Sequence, residues 1–196
     1  MARGDTAPIH HTGPMPRHHR LTLCALSALT ALAVLAGCST TPTAPLPTVA
    51  TVDLARYAGG WYEISALPNR FQAMCVADTK AHYRAIGDDI EVINRCRQAD
   101  GSVTRATGIA KVVADSGNAK LRVSFFRPFY GNYWVLALDP DYRWVLVGEP
   151  KRRFGWVLSR TPQMAPADLD AALQRAVERG YARADFKPTP QSQPLD

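Results

Sequence analysis

The sequence predicts an all-β fold: an eight-stranded up-and-down antiparallel barrel with one C-terminal α-helix packed outside it and a short ninth strand. Three observations carry that expectation. Runs rich in Val, Ile, Tyr, Phe and Trp recur about every ten residues from Val52 onward. The gaps between them supply Gly, Pro, Asp or Asn, the residues that let a chain reverse. One stretch near the C-terminus has the periodicity of a helix instead. Short reversals favour neighbouring antiparallel strands, and closing them into a barrel leaves no exposed sheet edge; a sandwich is the alternative.

The chain begins differently. Arg17, His18, His19 and Arg20 precede seventeen uncharged, largely apolar residues, Leu21–Gly37. This is the basic-then-apolar order of a secretory signal, and it falls short of the ~20 apolar residues a membrane-spanning helix needs. Its end, "LAGC", resembles the lipobox of bacterial lipoproteins. That resemblance implies recognition of Leu35, Ala36 and Gly37, cleavage before Cys38, and acylation of Cys38 as a membrane anchor. Several acyl chains on one residue pass the two-signal threshold for stable anchoring. Residues 1–37 are therefore expected to be a signal peptide, for which Met15 would be a sufficient start. Residues 38–51 are expected to be the lipidated cysteine and a linker, "STTPTAPLPTVAT", whose three prolines favour an extended spacer.

Charge narrows the function classes. The whole chain carries +6; without Arg3, Arg17, Arg20 and Asp5, 20 basic and 16 acidic residues remain, or +4. The two signs are interspersed, whereas a nucleic-acid binder more often shows a basic stripe with stacking aromatics. No nucleic-acid partner is expected. The one local cluster, "KRRF" at Lys151–Phe154, reads as a solvated turn or as a contact with membrane phosphates.

The expected strands, in order, are Gly60–Leu67, Ala77–Arg84, Asp89–Arg95, Thr104–Val113, Lys120–Phe126, Asn132–Leu138, Arg143–Gly148 and Gly155–Arg160. In "PADLDAALQRAVERG", Leu169, Ala172, Leu173, Ala176 and Val177 follow helical spacing on one face. Pro166 suits the first turn and Gly180 the position just past the end. Asp168 and Asp170 lie near the positive end of the helix, Arg175 and Arg179 near the negative end. A ninth strand or extended segment falls within Ala184–Pro188. The domain is expected over 52–190, with a flexible tail at 191–196.

These residues resemble the lipocalin family. "GGWYEI" at Gly59–Ile64 is similar to its first motif, with Gly59 and Trp61 at the entry to the first strand. "LDPDYRWVLV" is similar to the second, through Asp141 and Tyr142, although Pro140 replaces the usual Thr. "WVLSRTP" is similar to the third, whose hallmark is Arg160. The wider stretches "WYEISALPNRFQ" and "RVSFFRPFYGNYWVLALDPDYR" resemble the bacterial lipocalin branch, which is related to apolipoprotein D. The likeness covers roughly residues 52–190, with three motifs in order.

The resemblance implies a calyx closed at one end, where Trp61 and Arg160 stack by a cation–π contact. Alternation along the strands then puts Glu63 and Ser65 on the face of Trp61, and Leu158, Trp156 and Phe154 on that of Arg160. Trp156 is expected to look into the cavity unless a bulge reverses the parity, and Glu63 to be a hydrogen-bonded buried acid. Phe125, Phe126, Tyr130, Tyr133 and Trp134 crowd one strand junction; Phe125 and Tyr133 join Trp156 as candidate ligand contacts. With Cys24 in the signal and Cys38 as anchor, Cys75 and Cys96 remain as a disulfide pair in an exported protein. A nucleophilic cysteine, as in the prostaglandin-isomerising lipocalin, is the alternative, but no activating neighbour is evident.

The family implies binding or transport of a hydrophobic molecule, a fatty acid or lysophospholipid, without cofactor or metal. An enzyme acting on lipids or isoprenoids would lack G-x-S-x-G and H-E-x-x-H, and downstream of Cys38 only His82 is left for imidazole or haem chemistry. An envelope scaffold is a third possibility. Ser39 after the anchor, in place of an inner-membrane Asp, implies a Gram-negative outer membrane and a periplasm-facing domain. The sequence sets no oligomeric state.

Overall fold

The computed structural model describes residues 45–196. Cys38, the lipobox Leu35–Gly37 and the linker up to Ala44 lie outside the described residues. A short helix, α1 (Leu54–Tyr57), leads into β1 (Gly59–Ala66), β2 (Ala77–Ile86), β3 (Asp89–Arg97), β4 (Val103–Val112), β5 (Lys120–Phe126), β6 (Phe129–Leu138), β7 (Trp144–Gly148) and β8 (Gly155–Ser159). The C-terminal helix α2 (Pro166–Glu178) and a two-residue β9 (Lys187–Pro188) follow. Every neighbouring pair is antiparallel, and β1 pairs with both β8 and β2, so eight strands close into a barrel with β9 outside the ring.

Alternation separates two cores. Inward residues such as Tyr83, Val92, Ala110, Leu121, Val135, Val145 and Leu158 pack inside the barrel. Outward Leu136, Leu146 and Val157 pack against Ala172, Leu173 and Ala176 of α2. Covered on both sides, β7 is buried at all five positions, which explains its unbroken apolar run. Of the expected helical face, Val177 differs: it is exposed. Pro166 occupies the first turn, and Gly180 takes the left-handed conformation (φ +81°) that ends the helix.

Three expectations are corrected. Ser65 does not share the face of Trp61. A bulge between Glu63 and Ser65 pairs Ser65 with outward Val157 and Ala66 with inward Trp156, so parity reverses there. Residues 45–51, read as linker, lie against the domain: Leu46 is buried, and the Val49 and Val52 amides donate to Val135 O (3.0 Å) and Gly117 O (2.8 Å). The 191–196 tail is docked along the seam between β1 and β2. The Asp78 amide donates to Pro190 O (2.8 Å), Gln191 Nε2 to Glu63 O (2.8 Å) and Thr79 O (3.0 Å), and the Gln193 amide to Asp78 Oδ1 (2.9 Å).

Asp78 anchors this seam. It is fully buried, and its carboxylate accepts from Arg97 Nε at 2.7 Å. Burial by itself would raise its pKa. The Arg97 hydrogen bond and charge, with backbone donors from the tail, outweigh that and hold it below the usual range.

Candidate ligand cavity

The end of the barrel where β1 begins is closed. Trp61 is fully buried, and its indole donates to Tyr57 O at 2.8 Å. The Arg160 guanidinium lies 3.8 Å from the Trp61 ring centroid and donates to the carbonyls of Ala58 (3.0 Å), Gly60 (2.9 Å) and Arg56. Gly59 has φ +90° beside Arg160, a conformation that a side chain would strain. At the adjoining turn, Tyr142 Oη accepts from the Asp53 amide (2.9 Å). Asp141 is exposed; its buried neighbour Asp139 organises that turn, accepting from the Asp141 and Arg143 amides (3.0 and 3.1 Å) and from Arg143 Nη2 (2.8 Å).

Above the plug, three tyrosines from α1, β2 and β6 converge. Tyr133 Oη lies 2.6 Å from Tyr57 Oη and 2.9 Å from Tyr83 Oη. Burial raises all three pKa values, that of Tyr83 to about 12, so the cluster is neutral over the working range. Tyr57 and Tyr83 are buried, and inward-facing Tyr133 is half-buried. Of the sequence candidates, Tyr133 thus faces inward. Its partners Tyr57 and Tyr83 carry no such signal, because nothing local in "ARYAG" or "AHYRA" marks a hydroxyl that bonds across a barrel.

The inward face of β4 carries mostly small residues. The inward positions of β4 are Thr104, Ala106, Gly108 and Ala110, as their pairing with Cys96, Asn94, Val92 and Ile90 shows. Ala106 is exposed although it points inward. The Phe125 ring lies over Gly108, where a Cβ would stand 2.8 Å from it. Phe125 therefore sits at the lumen mouth, 45% exposed, while Phe126 and Phe129 stack at the tip of the β5–β6 hairpin.

Trp156 faces inward as parity predicts, in an aromatic ladder. Phe71 and Phe154 lie 5.6 Å apart, Phe154 and Trp156 6.2 Å, with Arg70 over Phe71 and Arg153 over Phe154. The Trp156 indole donates to Gln72 Oε1 (2.8 Å), Gln72 Nε2 to Glu63 Oε2 (2.6 Å), and Thr189 Oγ1 to Glu63 Oε1 (2.6 Å). Burial raises the Glu63 pKa, and these two donors only partly offset it. Beside this relay, a cavity of about 250 Å³ opens among Glu63, Ala66, Gln72, Val76 and Thr189. Nothing local in the sequence places Phe71 and Gln72 here, because they belong to a loop with no strand parity.

Cys75, in the loop before β2, is bonded to Cys96 of β3, which leaves no free thiol there for nucleophilic chemistry. His82 is exposed on the outer face of β2.

The family model for the lipocalin-like domain matches residues 52–191. Temperature-induced lipocalin-1 of Arabidopsis thaliana is 38% identical over 156 residues, spanning 75% of this chain and 83% of the plant protein. Outer membrane lipoprotein Blc of Citrobacter freundii is 38% identical over 134 residues, 68% of this chain and 76% of the relative. The structure of insecticyanin from the tobacco hornworm Manduca sexta matches in fold, with TM-score 0.63 and 21% identity, covering 78% of this chain and 86% of that one.

Proposed function

The chain belongs to the lipocalin family, whose members bind hydrophobic ligands, and from that premise we propose that this barrel holds a single-chain lipid, a fatty acid or lysophospholipid, without cofactor and without bond chemistry. One observation carries the reading: the inward β4 positions are small, while the Phe71–Phe154–Trp156 ladder lines the barrel at β8. Apolar space left by small side chains and walled by aromatic rings suits an acyl chain. Arg70 and Arg153, stacked on that ladder, supply cationic charge at the mouth for a carboxylate or phosphate. Trp156, Tyr133 and Phe125 are the proposed ligand contacts.

Similarity to a Blc outer membrane lipoprotein supports a location at the outer membrane of a Gram-negative bacterium. There, Cys38 would carry the acyl anchor after cleavage at Leu35-Ala36-Gly37, and the barrel would face the periplasm. The Cys75–Cys96 disulfide suits that oxidising compartment.

Native mass spectrometry of the purified protein tests the ligand. Co-purified or exchangeable lipid of one acyl chain is the expected result; a barrel that neither carries nor takes up such a lipid would favour a scaffold role. Inhibition of the lipoprotein signal peptidase tests the anchor, since a larger precursor should accumulate. An unchanged apparent mass would remove Cys38 from that role.

A further inference from the structure

The tyrosine cluster has one hydroxyl hydrogen more than it can use internally. Three hydroxyls bring three hydrogens, but Tyr133 makes only two oxygen–oxygen contacts, one to Tyr57 and one to Tyr83. Each contact consumes one hydrogen, whichever partner donates. One O–H is left without an acceptor among the described residues, surrounded by Trp61, Val92, Leu121 and other apolar side chains. A buried donor without a partner is costly, so this hydrogen is a standing demand for an acceptor.

A second unpaired group shares the same inward face. Tyr83 pairs with Val92, and Ala81 with Asn94, so Asn94 follows Val92 on the lumen side of β3, one two-residue step of ~6.7 Å toward the mouth end of the strand. Asn94 Oδ1 is buried and has no hydrogen-bond partner. The lumen thus presents a spare donor and a spare acceptor, and the cation that acts on Tyr57, Arg160, is already committed to the Trp61 ring and to the carbonyls of Arg56, Ala58 and Gly60. A carboxylate or phosphate would enter without a free counter-charge. An ester or ketone would accept from the tyrosines and leave Asn94 unpaired. An alcohol accepts and donates at once, and it is uncharged.

We infer that Tyr57, Tyr83, Tyr133 and Asn94 form a hydroxyl subsite at the floor of the lumen, which selects long-chain lipids carrying an uncharged hydroxyl on the end that enters first. This rests on the proposed lipid-binding function and adds an orientation. The charged head stays at the mouth beside Arg70 and Arg153, and the far end of the chain is read by hydrogen bonds. Such a site discriminates more sharply than an apolar pocket, because its own polar groups stay unpaired when the wrong ligand binds.

The test is competition between palmitate and ω-hydroxypalmitate for a bound dansylated fatty acid on the purified full chain. The two competitors share head and length. The expected result is a preference of about tenfold for ω-hydroxypalmitate, the value of one net hydrogen bond. The triple variant Tyr57→Phe/Tyr83→Phe/Tyr133→Phe keeps the ring shapes and removes every hydroxyl. It should bind the two competitors alike, the preference for the hydroxylated one gone. Asn94→Leu should reduce the preference independently, and it keeps the proposal testable if the triple variant does not fold. Equal affinity of the native protein for the two competitors would mean that water, not ligand, serves the spare hydrogen, and would overturn the subsite. So would a preference that survives the substitutions. Palmitate binding without preference sinks the subsite alone; failure of both competitors to bind sinks the lipid-binding function and the subsite with it.

Discussion

Replacing Arg160 with Ala should unfold the protein more readily while leaving its lumen nearly intact. Arg160 donates to the carbonyls of Ala58, Gly60 and Arg56 and covers the Trp61 ring at 3.8 Å. A hydrogen bond to a charged group contributes about 1.5–3 kcal/mol. The three carbonyls share one partly open cation, so their values do not add. About 2 kcal/mol for the fork and ~1 kcal/mol for the cation–π contact give a loss near 3 kcal/mol. Arg160→Lys keeps the charge but not the planar fork, and should lose about 2 kcal/mol. In urea, with a slope of about 2 kcal/mol per molar, the Ala variant's midpoint should fall by ~1.5 M without a change in slope. Fatty-acid affinity at a concentration of urea where both proteins are folded should hold within about twofold, because the guanidinium lies beyond the plug. A midpoint shift under ~0.5 M would refute the plug energetics. A large loss of affinity with unchanged stability would make Arg160 a ligand residue instead.

Further outcomes follow from other parts of the molecule. Cys75→Ser/Cys96→Ser opens a bridge spanning 21 residues, and calorimetry should show a loss of about 3 kcal/mol. Glu63 has a raised folded pKa, so its contribution to stability is fully present below its unfolded pKa and is lost as pH rises through the folded value. Glu63→Gln should therefore gain stability over the native chain as pH increases toward neutrality, and the two should converge in acid; parallel curves would place Glu63 in a more polar setting. Asp78 and Asp139 have the opposite sign. Their folded pKa values lie below the unfolded ones, so stability is present above the unfolded pKa and is lost as pH falls through the folded value. Asp78→Asn should flatten that acid loss and raise amide exchange in residues 190–195, and protection left unchanged would show that the tail is held without it. Trp156→Ala should weaken fatty-acid binding about tenfold, read by displacement of a fluorescent fatty acid, with intact β-sheet circular dichroism.

Much of this molecule is legible along the chain because its determinants are local. A strand alternates faces at every residue, so one Trp and one Arg set the parity of β1 and β8, and Trp156 follows inward. The turn residues between apolar runs order eight antiparallel strands, and "PADLDAALQRAVERG" carries its own start, face and stop. Cys75 and Cys96 pair across one hairpin, close enough in sequence to be foreseen.

Tertiary structure decided whatever depended on closure. The bulge after Glu63 turns Ser65 outward, and no residue type there announces it. The segments 45–51 and 191–195 have the composition of linkers, yet the first bonds to β6 and the second to the seam between β1 and β2, partners that are in place only once the ring exists. Tyr57, Tyr83 and Tyr133 are distant in sequence and meet because strand tilt and stagger bring α1, β2 and β6 around one axis. Alternation tells which side of a strand a residue faces. Which hydroxyl it finds across the lumen is set by the geometry of the closed barrel, and that is where the proposed specificity of this lipocalin lies.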